Sequence, residues 1–230
     1  MRRGSQEIRA GVLACAVLIA VACGKAQVQP AKSWPAGTVL ALDGQPILES
    51  EVDEAAGMIA LLEPRDSIVQ LRRLALTNIV LPRCAARAID PAARDEALRL
   101  ATQWRTTLDK GLDPAAPAPG PQMLEKQGRI LDLGIELWTA AFQSEDGHWT
   151  PILETAGCFH IARVQERSTA QLPGQVELTI QSYDFPYVPK DQARAQIDAQ
   201  LDRSKLEYVD ESWRELVPTA WQYRFRRGAP

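Results

Sequence analysis

This 230-residue chain has very little histidine, and its two copies are His148 and His160. Its four cysteines are scattered, without the paired spacing that structural zinc sites use. The sequence also lacks a Gly-x-Ser-x-Gly elbow, a phosphate-binding P-loop and a glycine-rich dinucleotide motif. These absences exclude assignment by motif to the common hydrolase, nucleotide-binding and zinc classes. We therefore expect neither a metal nor a cofactor.

An excess of charge of either sign is also missing. The chain carries 26 basic and 29 acidic residues, for a formal net charge of −3, and so has no electrostatic footprint for nucleic acid. The longest apolar run, residues 10–22, has 13 residues and is too short to span a bilayer. Because 46% of residues are hydrophobic and 24% are charged, the composition is that of an ordinary folded protein.

The N-terminus has the pattern of an export signal. Three arginines precede the apolar run, and "AVAC" ending at Cys23 resembles a bacterial lipobox. We predict a signal peptide over 1–22, diacylation of Cys23, and a tether over 23–36. A signal that is cleaved nearby without lipidation is the alternative. The predicted location is the periplasm, on a membrane through the lipid anchor, with the outer membrane favoured over the inner one.

Two cysteines remain in the predicted folded body, Cys84 and Cys158. An oxidising compartment permits a disulfide between them. Both lie in apolar segments, which fits two buried free thiols equally well. The sequence leaves both possibilities open.

The hydrophobic patterns predict an α+β fold. A strand over 38–42 and a second over 45–48 flank Asp43-Gly44, a strong turn dipeptide. Ser50 with Asp53 predicts a capped helix start, and Pro82 should kink or end the next helix. Asp90, Pro91 and Gly111 bracket the clearest helix. Further elements are a helix over 133–143, strands within 148–165 and 175–189, and C-terminal helical segments from residue 190.

Three stretches together resemble the periplasmic foldases of the parvulin type, which pair a helical chaperone region with a peptidyl-prolyl isomerase domain. The opening "VLALDGQPILESEVDE" is similar to the start of their chaperone region. The stretch "LWTAAFQSEDGHWTPILETAGCFHIARVQERST" is similar to the last third of a parvulin domain, and "ARDEALRLATQWRTTLDKG" to its first helix. The resemblance implies a chaperone-like region over 37–89, a diverged parvulin-like domain over 90–168, and a strand and helices over 172–230.

The chain departs from the family pattern in several places. The family's first strand usually holds a histidine, whereas residues 83–89, "RCAARAI", continue the preceding helix. The Gly-Gly-Asp-Leu-Gly segment is reduced to "LDLG" at 131–134, and Cys158 stands where the family has glycine. Alignment from Ala-Ala-Phe puts Leu133 and Leu137 at the pocket positions, so the implied pocket is aliphatic.

The resemblance assigns His160 as the catalytic residue and Leu133, Leu137, Phe142 and Phe159 as the residues that bind substrate. Proline isomerisation needs no nucleophile, because a pocket that favours the twisted amide lowers the barrier of about 18–20 kcal/mol. The implied partners are unfolded or proline-containing exported polypeptides, with no nucleic acid. A pairing of Cys158 with His160 as nucleophile and base is conceivable on one strand face, but no orienting acid is apparent.

His160 has a second interpretation, as a core histidine whose ring nitrogens are satisfied locally. Isomerase activity is accordingly expected to be weak or lost. The alternative function is a non-catalytic periplasmic chaperone or envelope-assembly lipoprotein that binds clients or one fixed partner.

Overall fold

The computed structural model describes residues 33–112 and 121–227, with side chains to Phe225. The predicted signal peptide, the predicted lipidation site Cys23 and most of the predicted tether lie outside the described residues. The predicted α+β class is confirmed: helices pack with two small antiparallel sheets, and further helices follow at the C-terminus.

The first sheet confirms the predicted hairpin. Strand β1 (Thr38–Leu42) and strand β2 (Gln45–Leu48) pair antiparallel around Asp43 and Gly44, whose φ angles are 49° and 79°. Both angles lie in the left-handed region that this tight turn requires. The third strand, β7 (Leu206–Tyr208), was not predicted and pairs with the other side of β1. The Asp43 carboxylate fastens the turn to this segment, because it accepts hydrogen bonds from Lys205 N at 2.7 Å and Ser204 Oγ at 2.6 Å.

Four helical segments follow the hairpin. They are α1 (Glu49–Ala60), α2 (Ile68–Ala75), α3 (Leu81–Ile89) and α4 (Pro91–Asp109), with a π-helical stretch over Leu76–Val80 between α2 and α3. The π-helical stretch ends at Val80, immediately before α3 begins at Leu81. Pro82 lies in the first turn of α3. The helix does not end at Pro82, since α3 runs on to Ile89, and the predicted kink at this proline stays a prediction.

The two predicted helix caps have different outcomes. Asp90 caps α4 as predicted, accepting a hydrogen bond from Ala93 N at 2.9 Å. The predicted cap at Ser50 is wrong, because α1 already begins at Glu49. The carboxylate of Glu51 instead accepts the Leu48 N–H at 3.1 Å.

The second sheet has four antiparallel strands in the order β3-β6-β5-β4. They are β3 (Met123–Gly128), β4 (Leu153–Thr155), β5 (Cys158–Arg167) and β6 (Leu178–Pro186). Helices α5 (Ile130–Leu133) and α6 (Ile135–Gln143) connect β3 to β4. The C-terminal part adds α7 (Ala193–Arg203), a 3₁₀ turn over Glu211–Glu215 and α8 (Thr219–Arg227), with α7 packed on α3.

Two apolar clusters lie on opposite faces of the second sheet. The main core receives Phe159 and Ile161 of β5, and it contains Trp104 and Phe185, whose ring centroids lie 6.1 Å apart in an edge-to-face arrangement. The smaller cluster receives Ala162 and Val164 and surrounds Trp138. Because successive residues of a strand face opposite sides, His160 shares the face of the smaller cluster. Among the described helices none is long and apolar enough to cross a membrane.

Candidate functional site

Antiparallel pairing of β5 with β6 places Asp184 directly opposite His160. His160 Nδ1 lies 2.9 Å from Asp184 Oδ1, and both side chains are mostly buried. Residues at such opposed positions have Cβ atoms only about 5 Å apart, so short side chains reach each other without strain. The neighbour of His160 is therefore an acid rather than a second histidine.

Two further groups hold the Asp184 carboxylate. Lys126 Nζ of β3 lies 2.9 Å from Oδ1 and 2.7 Å from Oδ2, and Ser182 Oγ donates to Oδ1 at 3.1 Å. Burial alone would raise the pKa of Asp184, but the hydrogen bonds and charges of His160 and Lys126 outweigh it. The pKa of Asp184 consequently lies well below its ordinary value, and the group is an anion at neutral pH.

The other ring nitrogen of His160 contacts the turn between β4 and β5. Nε2 lies 3.0 Å from Thr155 Oγ1, which is itself 3.2 Å from the Cys158 carbonyl oxygen. A ring that carries protons on both nitrogens can donate to Asp184 and to Thr155, while the hydroxyl donates to the carbonyl. With a neutral ring protonated at Nδ1, the hydroxyl proton must instead turn to Nε2. The network therefore adjusts to either state by rotating one hydroxyl.

His160 and Asp184 line a cleft of about 550 Å³ between the second sheet and helices α5 and α6. The lining combines apolar and polar residues. The apolar contributors are Leu133, Ile135, Leu137 and Ala156; the polar ones are Lys126, Gln127, Asp132, Glu136, Thr155, His160, Asp184 and Lys190.

Three of the five sequence-predicted site residues meet at this cleft: His160, Leu133 and Leu137. The other two do not line it. Phe142 stacks on Trp138 with ring centroids 4.5 Å apart, at the smaller cluster. Phe159 is 2% exposed and points into the main core, as strand alternation requires for a neighbour of His160.

Of the eight polar residues of the cleft only His160 was predicted from the sequence; the seven that were missed include Asp184, Lys126, Thr155 and Glu136. The alternation of β6 places Asp184 on the same face as Ser182, and this signal could have been read. The pairing of β6 with β5 could not be predicted from the sequence, because it depends on a contact between distant segments. Strand β3, which carries Lys126, has too few apolar residues to show a strand pattern.

Glu136 is an unusual carboxylic acid of the cleft wall. It lies in the first turn of α6, its side chain is 14% exposed, and its Oε1 lies 3.3 Å from Arg83 Nη1. Burial raises the pKa of Glu136 to about 7; Arg83 lowers this pKa and the nearby charge of Glu154 raises it. At neutral pH a large fraction of this carboxyl therefore carries its proton.

Strand β4, which ends at the cleft residue Thr155, is fixed to the helices by a cluster of ion pairs. Glu154 accepts hydrogen bonds from Arg87 of α3, with a shortest distance of 2.7 Å, and from Arg94 of α4 at 2.7 Å. The Tyr187 hydroxyl also donates to Glu154, at 3.3 Å. This cluster holds one side of the cleft in place against the two helices.

Both described cysteines are free thiols. Burial raises the pKa of Cys84 to about 11, and burial together with the charge of Asp184 raises that of Cys158 to about 12. Cys158 Sγ lies 3.9 Å from His160 Nδ1, but that nitrogen is directed to Asp184. A thiol with so high a pKa is a poor nucleophile, so the geometry does not favour Cys158 as a reacting group.

The chain matches no protein-family model, no curated protein and no solved structure. Within residues 33–112 and 121–227, no group of three or more His, Cys, Asp or Glu side chains is arranged to hold a metal ion.

Proposed function

We propose that this protein is a peptidyl-prolyl isomerase-like foldase for exported polypeptides, with weak catalysis, and that the cleft around His160 is where it binds them. The proposal includes the predicted periplasmic location and the membrane anchor at Cys23. The observation that carries it is the meeting of His160, Leu133 and Leu137 in one cleft. These residues come from separate elements, and they are the ones that the resemblance assigns to the site.

The chemistry of the cleft suits an uncharged backbone better than a reactive substrate. Isomerisation about a prolyl bond requires an apolar contact for the ring and a few fixed polar groups near the amide. Leu133 and Leu137 supply the apolar contact, and His160 supplies a fixed polar group whose orientation is set by Asp184 and Thr155.

A non-catalytic binding protein is the second candidate, and a specific observation favours it. Both ring nitrogens of His160 already have protein partners, so the ring must give up one bond before it can serve a substrate. Exchanging one hydrogen bond for another yields little net free energy, about 1 kcal/mol or less. The same cleft would then hold clients without accelerating isomerisation.

Cis–trans exchange of a blocked Ala-Ala-Pro-Phe peptide separates the two candidates, with the full chain in detergent. The foldase proposal expects exchange above the uncatalysed rate, reduced at least fivefold by His160→Ala and unchanged by His148→Ala. His148 is a matched control because its side chain is 74% exposed and is absent from the cleft lining. An uncatalysed rate, combined with suppression of client aggregation that His160→Ala leaves intact, would instead support the binding protein.

A further inference from the structure

Glu136 lines the cleft, and its carboxyl pairs with Arg83 rather than with the network around His160. Among the described residues, Arg83 is the one group hydrogen-bonded to this carboxyl, through a single bond of 3.3 Å. The bond is not the bidentate arrangement that strong arginine–carboxylate pairs adopt. Arg83 Nε is buried and has no hydrogen-bond partner among the described residues. A mostly buried ion pair with a single hydrogen bond contributes little to stability, so a purely structural role does not account for it well.

The charged groups near Glu136 lie on helix α3, on strand β4 and around the cleft. Helix α3 presents Arg83 and Arg87, and strand β4 presents Glu154, whose own charge is already matched by Arg87 and Arg94. The remaining titratable or charged groups of the same cleft are Lys126, Asp132, His160, Asp184 and Lys190. Lys126 and His160 are both directed to Asp184 and so are not partners of Glu136.

We propose that the protonated carboxyl of Glu136 donates a hydrogen bond to a backbone carbonyl oxygen of a polypeptide bound in the cleft. The inference rests on the proposed function, since it takes the cleft to be a polypeptide site. It adds the ligand group that is recognised, an uncharged hydrogen-bond acceptor, and it makes recognition dependent on pH.

The acceptor is a carbonyl next to the isomerising bond rather than the carbonyl of that bond. A donor on the latter oxygen would strengthen the double-bond character of its C–N bond and slow rotation. A donor on a neighbouring carbonyl anchors the chain and leaves the prolyl bond free to turn. Glu136 therefore acts as an anchor in this scheme, and His160 remains the polar group nearest to the reaction.

Deprotonation of Glu136 turns its favourable contact with the carbonyl oxygen into a repulsive one. A carboxylate has no proton to donate and repels the partial negative charge of a carbonyl oxygen. Polypeptide affinity should then follow the protonated fraction of Glu136. For a group that titrates near pH 7, this fraction falls about tenfold between pH 6 and pH 8.

The test measures the dissociation constant of a blocked Ala-Ala-Pro-Phe peptide between pH 6 and pH 8, with the full chain in detergent. A blocked peptide has no ionisable group of its own. We expect the affinity of the wild-type chain to fall about tenfold over this range. Glu136→Gln keeps an N–H donor without a titrating group, and its affinity should stay constant. Glu145→Gln is the matched control, because Glu145 is 87% exposed and does not line the cleft, and it should behave as wild type.

Two further variants assign the titration to Glu136. His160→Gln should keep the tenfold fall, whatever its absolute affinity. Arg83→Gln removes the cation that favours the carboxylate and should move the midpoint of the fall to higher pH. The Arg83 variant also tests the proposal independently if Glu136→Gln does not fold.

The outcomes separate this inference from the proposed function. A peptide that binds equally at both pH values, or that loses affinity equally in wild type and Glu136→Gln, overturns the role of Glu136 and leaves the polypeptide cleft standing. A midpoint that Arg83→Gln leaves in place also overturns the role of Glu136. Absence of both binding and isomerisation in wild type overturns the proposed function and this inference together.

Discussion

At the residue scale, the cleft combines two carboxyl groups in opposite states. Asp184 is held as an anion by Lys126 and His160, whereas burial raises the pKa of Glu136, which has Arg83 at 3.3 Å, to about 7. Burial raises the pKa of both groups, but at Asp184 the hydrogen bonds and charges of His160 and Lys126 outweigh it, whereas at Glu136 Arg83 does not. Two carboxyls that differ in this way can perform different tasks in one site: one orients the imidazole and the other donates a hydrogen bond.

The pH dependence of the free energy of unfolding should reveal the raised pKa of Glu136. The folded chain holds a proton that the unfolded chain releases between pH 4.5 and about 7, so this group favours folding below pH 4.5 and loses that contribution as pH rises to 7. The loss amounts to about 3 kcal/mol in the free energy of unfolding. Denaturant unfolding of Glu136→Gln at pH 5 and pH 8 should therefore give a flatter pH dependence than wild type. Parallel profiles of the two proteins would contradict the raised pKa.

The lowered pKa of Asp184 predicts the opposite dependence of stability on pH. Its interactions stabilise the fold above its ordinary pKa near 3.8, and this stabilisation is lost as pH falls below that value. At pH 7, Asp184→Asn leaves Lys126 and His160 without their anion, and we expect it to lower the free energy of unfolding by about 3 kcal/mol. Chemical denaturation at pH 7 and at pH 3 checks this. An equal loss at both pH values would show that packing, not charge, is responsible.

At the element scale, local rules predicted some parts of the fold and failed on others. The Asp43-Gly44 hairpin, the Asp90 cap and strand β5 follow from turn chemistry, capping and alternation that are confined to a few neighbouring residues. Strand β3 carries mainly exposed residues, and β7 is only three residues long. Neither strand therefore has an alternating hydrophobic pattern that would predict it. The neighbour of His160 depends on the register of β5 with β6, a contact between distant segments. The resemblance assigned Leu133, Leu137 and His160 from stretches that are contiguous in sequence, and it gave no indication of Asp184.

The cap of α4 offers an element-scale test. The Asp90 side chain satisfies the N–H of Ala93, and its loss should cost about 1 kcal/mol of stability. Denaturant unfolding of Asp90→Ala should show this decrease. Asp95→Ala is the matched control, because that side chain is 78% exposed and lies beyond the cap; a decrease of the same size in both variants would contradict the assignment of the cap.

At the scale of the whole molecule, one core joins the three predicted segments. Leu40 of the first segment, Trp104 of the second and Trp213 of the third belong to the same buried cluster, and β7 completes the sheet begun by β1. Segments that share a core cannot move independently without exposing apolar surface. The cleft therefore sits on a scaffold to which the C-terminal segment contributes β6.

A shared core predicts that residues 34–227 unfold together. Far-ultraviolet circular dichroism, which follows the helices, and tryptophan fluorescence should give coincident denaturation curves. Two separated transitions would contradict the shared core and indicate that the segments fold independently.

Binding of the blocked Ala-Ala-Pro-Phe peptide to Leu133→Arg, compared with Leu131→Arg, tests the central claim most directly. Leu133 lines the cleft, whereas Leu131 lies two residues away, is 74% exposed and does not. If polypeptides bind in this cleft, the arginine at position 133 fills it and weakens binding at least tenfold, while the change at 131 leaves the affinity unchanged. Equal affinities in the two variants would contradict the account, because the peptide would then bind elsewhere.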